Sequence, residues 1–284
     1  MFEFNKKTQE WEYLVNGKMV RRSKSKEKLE ERVREDFGGE VEIAKVQPQK
    51  AEFSVNERFD FISQFTKLVS RGVIPSLIIT GSGGLGKTHT VLNTLNKLGL
   101  KEDTIGEIDG DYIFIKGYTT PRNLYTTLYR NNGKVIVFDD TDTAFKDPIG
   151  ANILKAALES SGRRIVSWGA ESKDDEVPSR FEFIGKVIFI SNLELGKFPQ
   201  AILSRSMLTD LTLNMEEKTE RIAHIFKEET DYEADDKIEV LAFIKRHMEK
   251  FKDLNIRSAF NVLKMKVSLG EGWERPALYS ATLN

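Results

Sequence analysis

A chain of 284 residues, 39% of them hydrophobic, can bury one large core or two to three small ones, so it needs no covalent staple to fold. It has no cysteine, which excludes disulfides, thiolate metal sites and cysteine nucleophiles. With 43 basic and 44 acidic residues its formal net charge is -1, which excludes a molecule-wide pull on polyanions and leaves that task to local patches.

No run of about 18 apolar residues is present, so nothing is expected to span a membrane. The start, MFEFNKKTQEWEY, lacks a secretory pattern. A cytoplasmic protein is expected.

Residues 1–48 read as a small accessory domain. Glu10 to Val15 and Lys18 to Arg22 are expected as two strands around an Asn16-Gly17 hairpin turn. Ser25 to Phe37 is expected as a helix capped by Ser25, ended by Gly38-Gly39, and Glu40 to Val46 as a third strand. Gln47 to Glu52 is the linker.

Residues 53–213 alternate helix and strand. Helices are expected at 56–71, 88–98, 121–131 and 148–160. Strands are expected at 74–80, 112–116, 134–138, 186–190 and 207–213. This order calls for a parallel sheet with helices on both faces. Residues 214–284 are read as a helical lid and tail, with helices at 215–227, 237–251 and 256–267.

The most specific signal lies between the first core strand and its helix: Gly81-Ser82-Gly83-Gly84-Leu85-Gly86-Lys87-Thr88-His89. It fits the phosphate-cradling pattern G-x-x-x-x-G-K-[ST]. The glycines allow a tight turn whose N–H groups point at phosphate oxygens, and the helix N-terminus adds partial positive charge. Lys87 is expected to reach the β- and γ-phosphates of ATP, and Thr88 to ligate Mg²⁺. His89 follows on the helix and is expected to pack or bond locally. His224 and His247 fall on lid helices, far from it in sequence, and no zinc site is expected.

A second site closes the strand Val135 to Phe138. Asp139 is expected to serve the metal, and Asp140 to orient or deprotonate the attacking water. The plainer alternative is turn chemistry at a strand end.

Together these residues resemble the AAA+ ATPase superfamily. Ile188-Phe189-Ile190-Ser191-Asn192 resembles its sensor-1 strand, which implies that Asn192 contacts the γ-phosphate or the lytic water. Pro199 to Ser206 resembles the segment with the arginine finger, which implies that Arg205 acts on a neighbouring subunit's nucleotide. Asn255-Ile256-Arg257-Ser258 resembles sensor 2 and places Arg257 on the nucleotide. Each residue also has a plainer role: Asn192 as a strand-end hydrogen bonder, Arg205 as a surface residue, Arg257 as a cap or ion-pair partner within the lid. The resemblance implies an ATP hydrolase with ATP and Mg²⁺ as cofactors. It also implies a homo-oligomeric ring, a hexamer. The expected fold class is α/β: a P-loop core with a parallel sheet, a C-terminal helical lid and a small N-terminal hairpin, helix and strand.

Most members carry Asp-Glu where this chain has Asp139-Asp140. The Asp-Asp form resembles the superfamily 3 helicases of small viruses, and slow hydrolysis is consistent with it. The compact module with one tiny extra domain resembles phage-encoded members.

Three jobs remain open. A DNA-associated motor would use the basic run Lys18, Arg21, Arg22, Lys24, Lys26 and Lys28, and a pore loop at Lys116-Gly117-Tyr118. A protein-remodelling motor would use Tyr118 to grip a polypeptide. A nucleotide-controlled scaffold would hydrolyse slowly. Tyr118 packed at the sheet end, and the basic run as a solvated face, are the plainer alternatives. A hairpin from Arg163–Trp168 and Arg180–Phe183 is expected before the sensor strand. Its acidic tip would repel a phosphate backbone, while Arg163, Arg164 and Arg180 at its base could touch one.

Overall fold

Runs of β-branched and aliphatic residues with no polar interruption build the central sheet of the computed structural model, which describes residues 2–5, 10–15, 18–25, 28–29, 52–104, 109–160, 162–169 and 177–283. The chain divides into two units, Met1–Glu52 and Phe53–Asn284. In the first, β1 (Phe2–Asn5), β2 (Glu10–Val15) and β3 (Lys18–Ser23) form an antiparallel meander. Lys28 and Leu29 are helical, and the Lys28 N–H donates to Ser25 Oγ at 3.4 Å. β1 was not foreseen. The Asn16-Gly17 turn, the rest of the helix, the strand at 40–46, and residues 47–51 of the linker lie outside the described residues.

The second unit holds a five-stranded parallel sheet in the order β10-β4-β9-β6-β5. Its strands are β4 (Ser76–Gly81), β5 (Tyr112–Lys116), β6 (Val135–Asp139), β9 (Lys186–Ile190) and β10 (Met207–Leu211). All six residues of β4 are buried, as a central strand covered on both faces requires. Side chains alternate between the two faces. Ile78, Ile136, Phe138, Val187 and Phe189 pack with α3 (Pro121–Arg130) and α5 (Pro148–Ala157). Leu77, Ile79, Val135, Val137, Ile188 and Ile190 pack with α1 (Val55–Ser70) and α2 (Lys87–Lys97). Each such fully buried side chain contributes about 1.5–3 kcal/mol.

Two short helices, α4 (Thr143–Lys146) and α6 (Gln200–Leu203), lie in segments to which no element was assigned from sequence. Phe145 of α4 meets Phe189 and Phe198 at 4.7 Å each, which stiffens the platform behind the ends of β6 and β9. The hairpin pairs β7 (Ile165–Ser167) with β8 (Arg180–Glu182), and its tip at 170–176 is outside the described residues.

The lid contains α7 (Met215–Glu228), α8 (Ala234–Arg246), α9 (Ile256–Leu269) and α10 (Glu274–Leu283) around their own apolar cluster. α8 starts three residues before the expected position, its first turn carrying Asp235 and Asp236 against the helix dipole. α10 was not foreseen: Pro276 reads as a breaker, yet it sits in the first turn, where its missing N–H costs nothing. Capping boxes open α1, α7 and α9, at Ser54, Asn214 and Asn255.

Candidate functional site

Parallel pairing sets the level of every strand end. Ile190 of β9 stands opposite both Ile79 of β4 and Asp139 of β6, and Asp139 opposite Lys116 of β5. The next residues along each strand therefore gather at one edge: the glycine loop, Asp140, Ser191 and Asn192. A cleft of about 760 Å³ opens there between the sheet edge and the lid. Gly83 to His89, Asp139, Asp140, Asn192 and Arg257 are among its walls.

The loop conformation needs glycine where it turns. Gly81 has φ 121°, and a Cβ there would lie 2.3 Å from the Leu211 carbonyl oxygen. Gly84 has φ 70°, and a Cβ would press on the Asn255 side chain at 3.0 Å. Gly86 caps α2 and offers no side chain, so the first amides of that helix stay available to an anion. Leu85 is buried and anchors the loop from below, while His89 is exposed at the cleft rim.

Lys87 is only 5% exposed, and its ammonium donates to Gly81 O at 2.5 Å, Ser82 O at 2.9 Å and Asn192 Oδ1 at 2.9 Å. Burial lowers its pKa to about 8, even though Asp140, Asp139, Asp210 and Asp142 all favour the charged form. Asn192 Nδ2 donates onward to Asp140 Oδ1 at 2.9 Å. Asn192 therefore bridges the loop lysine and the second acid.

Thr88 Oγ1 lies 3.2 Å from both oxygens of Asp139. Burial, then the neighbouring Asp140 charge, raise the Asp139 pKa. A hydroxyl and a buried carboxylate form a hard oxygen pair that suits Mg²⁺. Among the described residues no group of three or more His, Asp or Glu could hold a metal, so a cation here would take its other ligands from phosphate oxygens and water. Asp140 has φ 53°, the positive-φ non-glycine residue among those described. Such left-handed backbone at a cleft edge is a strained position.

Lys116, expected in a pore loop, also belongs to this site. It lines this cleft, 3.8 Å from Asp139 Oδ2, with its side chain 59% exposed. The strand alternation is the cause: Lys116 shares the face of Tyr112 and Phe114, which is the face of α2 and of Asp139. Tyr118, beyond Gly117, is 76% exposed.

The lid closes the far side. The Ile256 N–H at the start of α9 donates to Gly84 O at 3.0 Å, so lid and loop touch directly. Arg257 is exposed and lines the cleft. Arg221 of α7 also lines it and was missed by motif. Its guanidinium lies 3.7 Å over the Phe59 ring, and Nη1 donates to Asn56 Oδ1 at 3.0 Å. Arg221, Ile225 and Glu228 share one helix face and all line the cleft, a fact that shows only once α7 is in place.

Arg205 is not among the cleft walls of its own chain. It pairs with Glu159 Oε2 at 2.9 Å and donates to Ala201 O at 2.8 Å. In the first unit, Lys18, Arg21 and Arg22 fall on β3, Lys24 and Lys28 are exposed, and Lys26 is outside the described residues.

No family model matches the chain. A curated relative, an uncharacterized 36.7 kDa protein of the nrdC-mobD intergenic region of Enterobacteria phage T4, is 28% identical over 269 residues, covering 87% of this chain and 81% of that one. Among solved structures the chain is similar to NtrX from Brucella abortus in complex with ADP, with TM-score 0.46 and 12% identity over 76% of this chain. It is also similar to PCH-2 of C. elegans, with TM-score 0.45 and 10% identity over 81% of this chain and 68% of the other. A third is the Aeropyrum pernix ORC1 protein in complex with DNA, with TM-score 0.45 and 16% identity over 80% of this chain. The chain spans 50% of the NtrX chain and 64% of the ORC1 chain.

Proposed function

We propose that this chain, an AAA+ P-loop protein by its strand order, phosphate-cradling loop and helical lid, binds ATP with Mg²⁺ and hydrolyses it at subunit interfaces of a ring, as a motor acting on DNA. The observation that carries the hydrolytic part is Asn192, joined at 2.9 Å to Lys87 on one side and to Asp140 on the other. A cation, a neutral amide and a carboxylate are thus joined in one hydrogen-bonded chain, which supports a role for them at a γ-phosphate and its attacking water. Lys87 and the loop amides hold the phosphates, and Arg257 and Arg221 bring positive charge from the lid. Thr88 and Asp139 would hold Mg²⁺, which neutralises phosphate charge when bound. Asp140 orients or deprotonates the water, and Arg205 serves the neighbouring subunit.

Asp140→Asn keeps the shape and removes the base. ATP affinity is expected to be unchanged, and turnover to fall by about 10²- to 10⁴-fold, the usual worth of a general base. Isothermal titration beside a phosphate-release assay checks this. Loss of binding as severe as in Asp139→Asn would show that the two acids do not divide the work.

The DNA assignment rests on charge: the run from Lys18 to Lys28 is the densest positive stretch in a nearly neutral chain. Changing Arg21, Arg22, Lys24 and Lys26 to Ala in the full chain should flatten the salt dependence of DNA affinity by about 0.9 log units per lost phosphate contact. Affinity across a salt series measures it, and identical slopes would remove this run from the interface. The exposure of Tyr118 favours a second reading, in which the loop after β5 grips a polypeptide. ATPase stimulation by an unfolded protein and not by DNA would select it. Among the described residues no helix is long and apolar enough to cross a membrane.

A further inference from the structure

Asn192 has to present its amide to two partners at once, and its own backbone does not explain how. Its neighbours do. The Ser191 hydroxyl donates to Asp142 Oδ1 at 2.6 Å and accepts the Leu193 N–H at 2.9 Å. Ser191 is 1% exposed, so water offers its hydroxyl no ready substitute. The residues on both sides of Asn192 are thus tied to one carboxylate through one hydroxyl.

Asp142 is itself held in place. It stands at the start of α4, where its carbonyl accepts from Phe145 N at 3.2 Å and Lys146 N at 3.3 Å. Phe145 in turn packs against Phe189 of β9. Neither Asp142 nor Ser191 lines the cleft. Asp142 acts on the site in two separable ways. One is the hydrogen bond to Ser191. The other is its charge, which acts on Lys87 with those of three other aspartates.

We propose that Asp142 is a positioning residue: through Ser191 it fixes the turn that aims the Asn192 amide at Lys87 and Asp140, and it thereby sets turnover without touching nucleotide. This rests on the ATP-hydrolysis reading above and deepens it. A misplacement of about 1 Å in a reacting constellation can cost on the order of 10²-fold in rate.

The test is steady-state ATP hydrolysis and nucleotide titration on the full chain, for wild type, Asp142→Ala, Ser191→Ala, the double variant and Asp142→Asn. Asp142→Ala and Ser191→Ala should each lower kcat by about 10- to 100-fold with nucleotide Kd unchanged. The double variant should be no slower than the worse single, because both break one chain of contacts. Asp142→Asn keeps an acceptor for Ser191 and should recover most of the turnover. The proposal fails if Asp142→Ala leaves kcat intact, if the single losses multiply in the double, or if Kd weakens in step with kcat. It also fails if Asp142→Asn is as slow as Asp142→Ala, which would assign the effect to charge. Should Asp142→Ala not fold, Ser191→Ala and Asp142→Asn decide. Wild type that binds ATP but does not hydrolyse it would overturn the hydrolysis reading and this proposal with it. Active wild type with unaffected variants would overturn this proposal alone.

Discussion

Lys87→Ala should weaken ATP binding by about 10- to 100-fold, as loss of a charge-assisted hydrogen bond predicts, and should leave no measurable turnover. The ammonium is nearly buried and serves three oxygens, those of Gly81, Ser82 and Asn192. Its removal takes away the charge that meets the phosphates. It also removes one donor from each of three acceptors, so the loop and the Asn192 bridge loosen together. Titration with a fluorescent nucleotide reads the first effect and phosphate release the second. Hydrolysis near the wild-type rate would end the assignment of the cleft to phosphate binding.

Arg205→Ala should bind ATP normally and lose about 10³-fold or more in turnover, the usual cost of removing an arginine finger. Arg205 is not a wall of its own cleft, which leaves it available to act on a neighbour's. The pair with Glu159 leaves the two side chains only 26% and 31% exposed, and Arg205 also donates to Ala201 O, so its loss should cost about 1–3 kcal/mol of stability. A variant still folded at the assay temperature by its melting curve, yet without turnover, therefore separates a catalytic defect from a folding one. Mixing Arg205→Ala with Lys87→Ala subunits should restore part of the activity, because some interfaces then pair an intact loop with an intact arginine. In verified mixed oligomers, no recovery at any ratio would count against action of Arg205 in trans.

The strands Tyr112–Lys116 and Lys186–Ile190 were legible to the residue, because apolar β-branched runs bounded by turns leave few other solutions. The glycine loop was legible because its geometry depends on residue types at fixed spacing. What the sequence hid depends on register between distant segments. Lys116 faces the cleft because parallel pairing puts it beside Asp139, 23 residues on; its parity with Tyr112 and Phe114 was visible, but the partner strand was not. Arg221 escaped because nothing local separates it from a solvated helix residue until α7 lies against α1. The short helices α4 and α6 are too brief to show a period. The tie between Asp142 and Ser191 joins residues 49 positions apart and has no motif.

The left-handed backbone at Asp140 bears on why the chain carries two aspartates where the superfamily it resembles mostly has Asp-Glu. Asp and Asn tolerate positive φ better than longer side chains, since a short polar group can bond locally. At φ 53° this turn favours Asp over Glu before any chemistry is considered. Asn192, already at 2.9 Å, is matched to the shorter acid. The acid's length, the turn's handedness and the amide's reach thus form one coupled set. Exchanging Asp for Glu at position 140 would require relaxing the turn and resetting the Asn192 amide as well, so the two positions are expected to change together or not at all.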